Sequence, residues 1–509
     1  MFEKQFEGRF LLTTNRQIVG NDEVDANTIA KIIDEVLPSH RKNAKEEERL
    51  FNIYFNDDKS WSKSKETRKD INNKITVDDA WAISRTINGY CFGEPIKYVC
   101  RKTGAEEGVQ SEVEELSQML DYSHNQDSTI MATLCSSVCG LGYKLALPSN
   151  KEEFDETGVP FVINPNLIDP TKAFVVYSSD IMHKPVIGVI IGKHYDEKGE
   201  ENGVEYTVWT KYHQYTMYDD GKGLSAMTQT VVLTDGKGKK SVYNAKGYPI
   251  FTNRVPLIEV ERNPFRKGDW EVAIDLLQMK NNLMSNRADD VQQVIDYVMV
   301  LINCKFENED DKKSALKDRI FELTQKDPKA APSIDILKNP LDQNGVQLLA
   351  EYLDGIIEEV VGIPSRAERG GGGHDTGQAV IYRNGFRDLE NNAGLIIPKM
   401  DKAETQFLSV CIAYAHTLGL LKKLKVSDIR NKFVRSLSDD PVSQATAYAT
   451  FKNAGMNDLD ALIISHAGTD PSEVHKNNEN SKEVQNNTKE NGNSGNKNEK
   501  NDKMGLTNS

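Results

Sequence analysis

Six cysteines, nine histidines and several acidic runs are the residues of this 509-residue chain whose types could do chemistry. Their spacing assembles no centre. Cys91, Cys100, Cys135, Cys139, Cys304 and Cys411 are too few and too scattered for a disulfide framework, which fits a reducing compartment. Cys135 and Cys139, four apart, share a helix face, but no nearby histidine completes a zinc tetrad, so both are expected as small apolar residues in a core. Asp289-Asp290 and the run Glu307–Asp311 are adjacent acids, which read as a solvated face rather than a two-metal site. The lysine–glycine stretch at 235–240 has the composition of a phosphate loop, but the spacing GxxxxGK[ST] occurs neither there nor elsewhere, and a solvated basic turn is expected. The expectation is a chain with no catalytic residues, no metal and no cofactor.

The formal net charge is -14. Tight nucleic-acid binders carry a basic footprint, because lysine and arginine neutralise phosphates. Contact with DNA therefore fits only where tight binding would be a disadvantage, as in a conduit. No apolar run approaches the roughly 18 residues a membrane helix needs, and the N-terminus MFEKQFEGRF lacks the basic-then-apolar pattern of a secretory signal. A chain that stays in the cytoplasm where it is made is expected.

The elements that must position any function follow from periodicity. Two helices are expected over 25–55, one carrying Ile29, Ile32, Ile33 and Val36 and ending at Pro38-Ser39, the other carrying Leu50, Ile53 and Tyr54. A polar surface loop over 58–78, a helix over 78–90 and a single helix over 109–139 closing on Gly140 come next, then a strand at Tyr143–Leu147. From about 160 to 260 the residues become rich in Val, Ile, Thr and Tyr, as strands prefer. A long helix is expected over 268–298, with Val272, Leu276, Met279 and Leu283 on its apolar face, then strands at VMVLINCKF and Ser333–Leu337. A second helix runs to Val361, with Leu349, Leu353, Ile356 and Val360 on one face and Glu351, Asp354, Glu358 and Glu359 largely off it. Gly362-Ile363-Pro364 ends it, and four consecutive glycines follow at Gly370–Gly373. A helical stretch over 376–420, interrupted by Pro398, leads to a shorter helical tail. The last 39 residues hold eleven Asn, six Lys and six Asp or Glu, a disordered composition. The fold class is α+β, with two long helices flanking a small β-containing insert.

Four segments in this order resemble the portal family of tailed phages that infect Gram-positive bacteria. They are the charged helix ending ERLFNIYF, the stretch INGYCFGEPIKY, the helix-then-strand KGDWEVAIDLLQMKNNLMSNRADDVQQVIDYVMVL, and the loop and helix SRAERGGGGHDTGQAVIYR. Together they cover about residues 40–400; the glycine run and the polar tail depart from the pattern. The resemblance implies an elongated portal subunit without enzymatic activity: a mixed α/β wing (1–267), stem helices at 268–297 and 341–361 flanking a clip (298–340), a tunnel loop (362–376), a wing helix (377–400), a helical crown (401–470) and the tail (471–509). It implies a closed ring of about twelve subunits joined by heterologous contacts. Its partners would be the terminase large subunit, scaffolding and major capsid proteins, head-completion or adaptor proteins, and the double-stranded DNA passing through the channel, with no membrane. Its place would be the capsid portal vertex of the virion, with the host cytoplasm during assembly.

On that resemblance, Arg366 and Arg369 are candidates for transient phosphate contact, on a tunnel loop that also holds Gly370, Gly371, Gly372, Gly373 and His374. Lys280, Arg287, Glu351, Asp354, Glu358 and Glu359 are candidates for the lumen or the subunit interface, and Lys267 is a weaker one. The alternatives are another phage head component, such as a minor capsid or adaptor protein, or a packaging nuclease or ATPase. The phosphate loop or clustered carboxylates the last would need do not occur.

Overall fold

The computed structural model describes residues 8–15, 26–57, 71–101, 107–195, 199–219, 224–226, 248–250, 252–295, 298–302, 304–305, 324–325, 333–337, 343–364, 386–435, 441–456 and 461–462. The chain divides into a unit up to Val434 and a second from Arg435. In the first, in chain order, lie β1 (Thr13–Thr14), α1 (Ala26–Tyr54), α2 (Asp79–Phe92), β2 (Lys97–Cys100), α3 (Glu107–Tyr122), α4 (Asn125–Cys139), β3 (Leu141–Pro148), α5 (Lys151–Thr157) and β4 (Phe161–Ile163). Strands β5 (Ala173–Ser178), β6 (Pro185–Tyr195), β7 (Glu201–Trp209), β8 (His213–Asp219), β9 (Leu224–Ala226), β10 (Tyr248–Pro249) and β11 (Leu257–Glu261) follow. After them come α6 (Ile274–Ile295), β12 (Val298–Ile302), β13 (Cys304–Lys305), β14 (Thr324–Gln325), β15 (Ser333–Leu337), α7 (Gln343–Val361), α8 (Phe386–Thr417) and β16 (Ile429–Lys432). The second unit holds α9 (Pro441–Asn453).

The strand-rich stretch forms a sheet in the order β1-β5-β6-β7-β8-β10, with β9 added to β8; β1 joins β5 in parallel and the rest is antiparallel. Alternation puts Phe174, Val176, Ile187, Val189, Tyr206, Val208, Tyr215 and Met217 on one face, where they bury the first half of α1 through Ile29, Ile32, Ile33 and Val36. A second core gathers the end of α1 (Leu50, Ile53, Tyr54), α2, α3, α4, α8 and the three-stranded sheet β11-β3-β4.

Helix α1 thus belongs to two cores, and this corrects the expected break at Pro38. The helix runs unbroken for 29 residues with Pro38 inside it. Pro38 lies on the exposed face, where a lost hydrogen bond is replaced by water, and apolar burial on both sides outweighs its cost of roughly 3 kcal/mol. The single helix expected over 109–139 is instead two, because His124 adopts a left-handed conformation (φ 57°) between α3 and α4. Helix α8 continues through Pro398 and across the expected boundary at 400, burying Ile396, Met400, Ala403 and Phe407 on one continuous face. The turn at 235–240 and the segment 377–385 lie outside the described residues.

A buried ion pair ties α8 to the second core. Lys144 on β3 and Glu404 on α8 are both fully buried, 2.7 Å apart. Lys144 also donates to Asn125 Oδ1 (2.8 Å) and Thr129 Oγ1 (3.0 Å), and Glu404 accepts from the Tyr98 hydroxyl (2.7 Å).

Candidate functional site

Helices α6 and α7 form an outward-and-return pair. The Lys280 ammonium on α6 meets Asp354 on α7 at 2.5 Å, and Arg287 donates to Gln347 at 2.8 Å, so rising numbers on one helix meet falling numbers on the other: the two are antiparallel. Between them the chain pairs β12 antiparallel with β15, Val298 opposite Leu337 and Ile302 opposite Ser333. Helix α6 has 22 residues, about 33 Å. It is shorter than the expected 268–298, because the residues before Ile274 are held otherwise.

Those residues anchor α6 to the second core. Gly268 packs so closely that a Cβ there would lie 2.2 Å from the Val138 carbonyl oxygen. Arg262 grips Asp269 through Nε (2.7 Å), and Asp269 also accepts from the Ser137 hydroxyl (2.6 Å). Trp270 is fully buried, its indole N–H donating to Ser84 Oγ at 3.1 Å. Arg9 pairs with Glu271 and donates to the Arg266 carbonyl, while Arg266 pairs with Glu259 at 2.6 Å. A cleft of about 530 Å³ opens beside this anchor, lined by Lys42, Arg49, Lys267 and Asp275 among others. At the far end, α7 closes on Gly362 in the left-handed region (φ 71°), and Asn392 from α8 donates to the carbonyls of Val361 (2.8 Å) and Gly362 (3.2 Å).

The buried side of α6 is more polar than its spacing predicts. Its buried residues are Leu277, Lys280, Asn281, Ser285 and Asp289, four of them polar, with Ala273 buried in the turn just before it. The face expected to be its core face is split: Met279 is 49% exposed and Val272, in the turn before α6, 62%, while Leu283 is half-buried and Leu276 packs against the second core. Helix α7 is shifted in the same sense. Ala350, Leu353, Ile357 and Val361 are buried, whereas Leu349 and Val360 of the expected face are exposed, along with Leu348 and Tyr352 (65%).

The charged candidates separate accordingly. Lys280 is buried, held by Asp79 Oδ2 (2.7 Å) at the start of α2 and by Asp354. Arg287, Gln347 and Glu351 form a surface chain of hydrogen bonds across α6 and α7. Glu359 is exposed, whereas Glu358 is 7% exposed. Arg366, Arg369, Gly370, Gly371, Gly372, Gly373 and His374 lie outside the described residues. Among the described residues no group of three or more His, Cys, Asp or Glu is placed to hold a metal ion, and no helix is long and apolar enough to cross a membrane. Sequence reasoning missed the anchor at 259–271 and the part of the 58–78 loop that binds α6. Asn281, Ser285 and Asp289, polar and four apart on an otherwise amphipathic helix, were the available signal for the latter.

The chain matches the sequence profile of the family described as phage portal protein, SPP1 Gp6-like, over residues 33–494. It belongs to that family. Comparison with individual curated proteins returns no match. The protein is a structural portal subunit, a head–tail connector component for phage DNA packaging. Portal proteins as a family are structural rather than enzymatic, form oligomeric rings, deal with capsid and terminase, and work at the capsid vertex of the virion. The mixed helices and sheets of this portal subunit agree with an α+β fold.

Proposed function

We propose that about twelve copies of this subunit close into a ring through heterologous contacts, with α6 and α7 as the stem, the β12–β15 region (298–340) as the clip and 362–376 as the tunnel loop. In this reading 1–267 and 377–400 make the wing, 401–470 the crown and 471–509 the tail. The observation that carries it is the set of exposed apolar side chains on α7 and at the start of α6. Met279 on α6 and Val272 in the turn before it are exposed, and such apolar positions are suited to meeting another apolar surface. The exposed stripe Leu348, Leu349, Tyr352 and Val360 on α7 of the next copy supplies it.

The ring catalyses nothing itself. The terminase large subunit docks on the clip and drives double-stranded DNA inward, and head-completion or adaptor proteins replace it afterwards. Scaffolding and major capsid proteins meet the ring during assembly in the host cytoplasm. Glu351 and Glu359 fit a channel wall that lets DNA slide, because a wall of cations would trap a polymer carrying one charge per about 1.7 Å. Arg366 and Arg369 make transient phosphate contacts from the tunnel loop.

Electron microscopy of the purified full-length protein tests this reading. Rings of about twelve subunits with a central hole are expected, and Tyr352→Glu should reduce them to folded monomers with unchanged circular dichroism. Rings that persist in Tyr352→Glu would remove α7 from the interface, and a wild-type monomer at high concentration with capsid and scaffold present would sink the ring itself.

A further inference from the structure

Residues 71–78, expected as part of a polar loop, run extended along α6 and lead into α2. The Val77 N–H donates to Asn281 Oδ1 at 2.9 Å, the Ile75 N–H to Ser285 Oγ at 3.0 Å and the Asn73 N–H to Asp289 Oδ1 at 2.7 Å. The Asn73 side chain adds bonds to Asp289 Oδ1 (3.0 Å) and Gln292 Oε1 (2.9 Å). Alternate residues of the strap thus meet every fourth residue of the helix, in opposite chain directions. The match is geometric: four residues of helix rise about 6 Å, and two residues of extended chain span about 6.6 Å. The helix presents side chains where a sheet would present a neighbouring strand.

Beside these bonds, Asp78 at the end of the strap accepts from the Asn56 side chain. Ile71 is buried, but Ile75 is 37% exposed and Lys74 and Thr76 lie in solvent. On the helix side all three acceptors are buried: Asn281 at 3%, Ser285 at 4% and Asp289 at 1% exposure. They lie along one edge of α6, so turning the helix by a single residue, about 100°, takes all three away from the strap together. Bonds that form and break together make a two-state element rather than a graded contact.

We propose that residues 71–78 are a latch that fixes the rotation of α6 about its own axis and couples it to α2. Directly beyond the strap, Asp79 binds Lys280, about 100° round α6 from Asn281, which extends the attachment into the first turn of α2. While the latch is closed, the polar edge of α6 faces the strap; releasing it removes one restraint on the rotation of α6, beside its contacts with α7. The inference concerns a single chain and stands independently of the ring. Where α6 is a stem helix, a turn of the stem is transmitted to α2 through the strap.

Residue-resolved hydrogen exchange on the full-length protein decides it, using mass spectrometry with electron-transfer fragmentation. The amides of Asn73, Ile75 and Val77 should exchange at least about tenfold more slowly than those of Lys74 and Thr76. Ser285→Ala removes the middle acceptor and the bond its hydroxyl gives to the Ile75 carbonyl (3.3 Å), yet it should speed Asn73 and Val77 by the same factor as Ile75, while Ser285→Thr restores protection. Asn73→Ala, made on the strap and leaving α6 untouched, should release Ile75 and Val77 likewise. The amides within α3 and α4, distant from the strap, report that each variant is folded. Equal exchange at all five positions, or release of Ile75 alone in Ser285→Ala, would overturn the latch.

Discussion

Glu47 shows how far burial can move one residue. It lies in the polar middle of α1, 1% exposed, and its Oε2 has no hydrogen-bond partner. Burial pushes its carboxyl up to about 8; Arg9 opposes the shift and Glu259 and Asp169 add to it. The folded chain therefore holds a proton that the unfolded chain releases near pH 4.5. A folded pKa above the unfolded one gives a contribution fully present below pH 4.5 and lost as pH rises through 8. Glu47→Gln should thus match the wild type in stability below pH 4.5 and exceed it at pH 8 by on the order of a few kcal/mol. Thermal unfolding across that range measures it, and a gain independent of pH would count against the assignment. Neighbouring His40 works in the opposite sense: burial lowers it to about 4, so its contribution is present above pH 6.5 and lost as pH falls toward 4.

At the scale of elements, partners override local preference. Pro38 and Pro398 both sit inside unbroken helices, because the faces on either side of each are buried in continuous cores. Helix α8 gains its position from Lys144 and Glu404 as well as from apolar contact. Both charges are dry, and their bonds to Asn125, Thr129 and Tyr98 are mutually dependent. Lys144→Met should therefore cost about 3–5 kcal/mol, since it strands Glu404 without its cation. Lys144→Met with Glu404→Leu should recover a large part of that loss, because the uncompensated charge goes too. Chemical denaturation of the two variants checks this; equal losses would mean that packing rather than charge sets the cost.

For the whole molecule, the proposed ring demands two different faces on each copy, one on α6 and one on α7. Val272→Glu spoils one face and Tyr352→Glu the other, and each variant keeps its second face intact. Mixed in equal amounts, the two should form heterodimers joined through the remaining good pair, and no closed rings. Light scattering of the mixture measures the mass. Rings in the mixture, or no association at all, would show that these stripes do not meet each other.

The amino-acid sequence by itself determined the class of the protein and the order of its main parts. Local periodicity and the four family segments need no long-range information, so the strand-rich stretch, the helix pair around a β insert and the portal membership were legible at once. Which way each helix faces was decided only by tertiary structure. Hydrophobic spacing identifies an apolar stripe on α6 but cannot say whether its partner lies in the same chain. The subunit gives its interior to Asn281, Ser285 and Asp289 because the extended backbone of 71–78 needs buried acceptors that apolar residues cannot supply. The same reason explains why Lys280, a candidate for the lumen or the interface, lies buried between Asp79 and Asp354. Those carboxylates are about 200 residues upstream and about 70 downstream of it, at separations where sequence spacing carries no signal and only the folded chain brings the groups together.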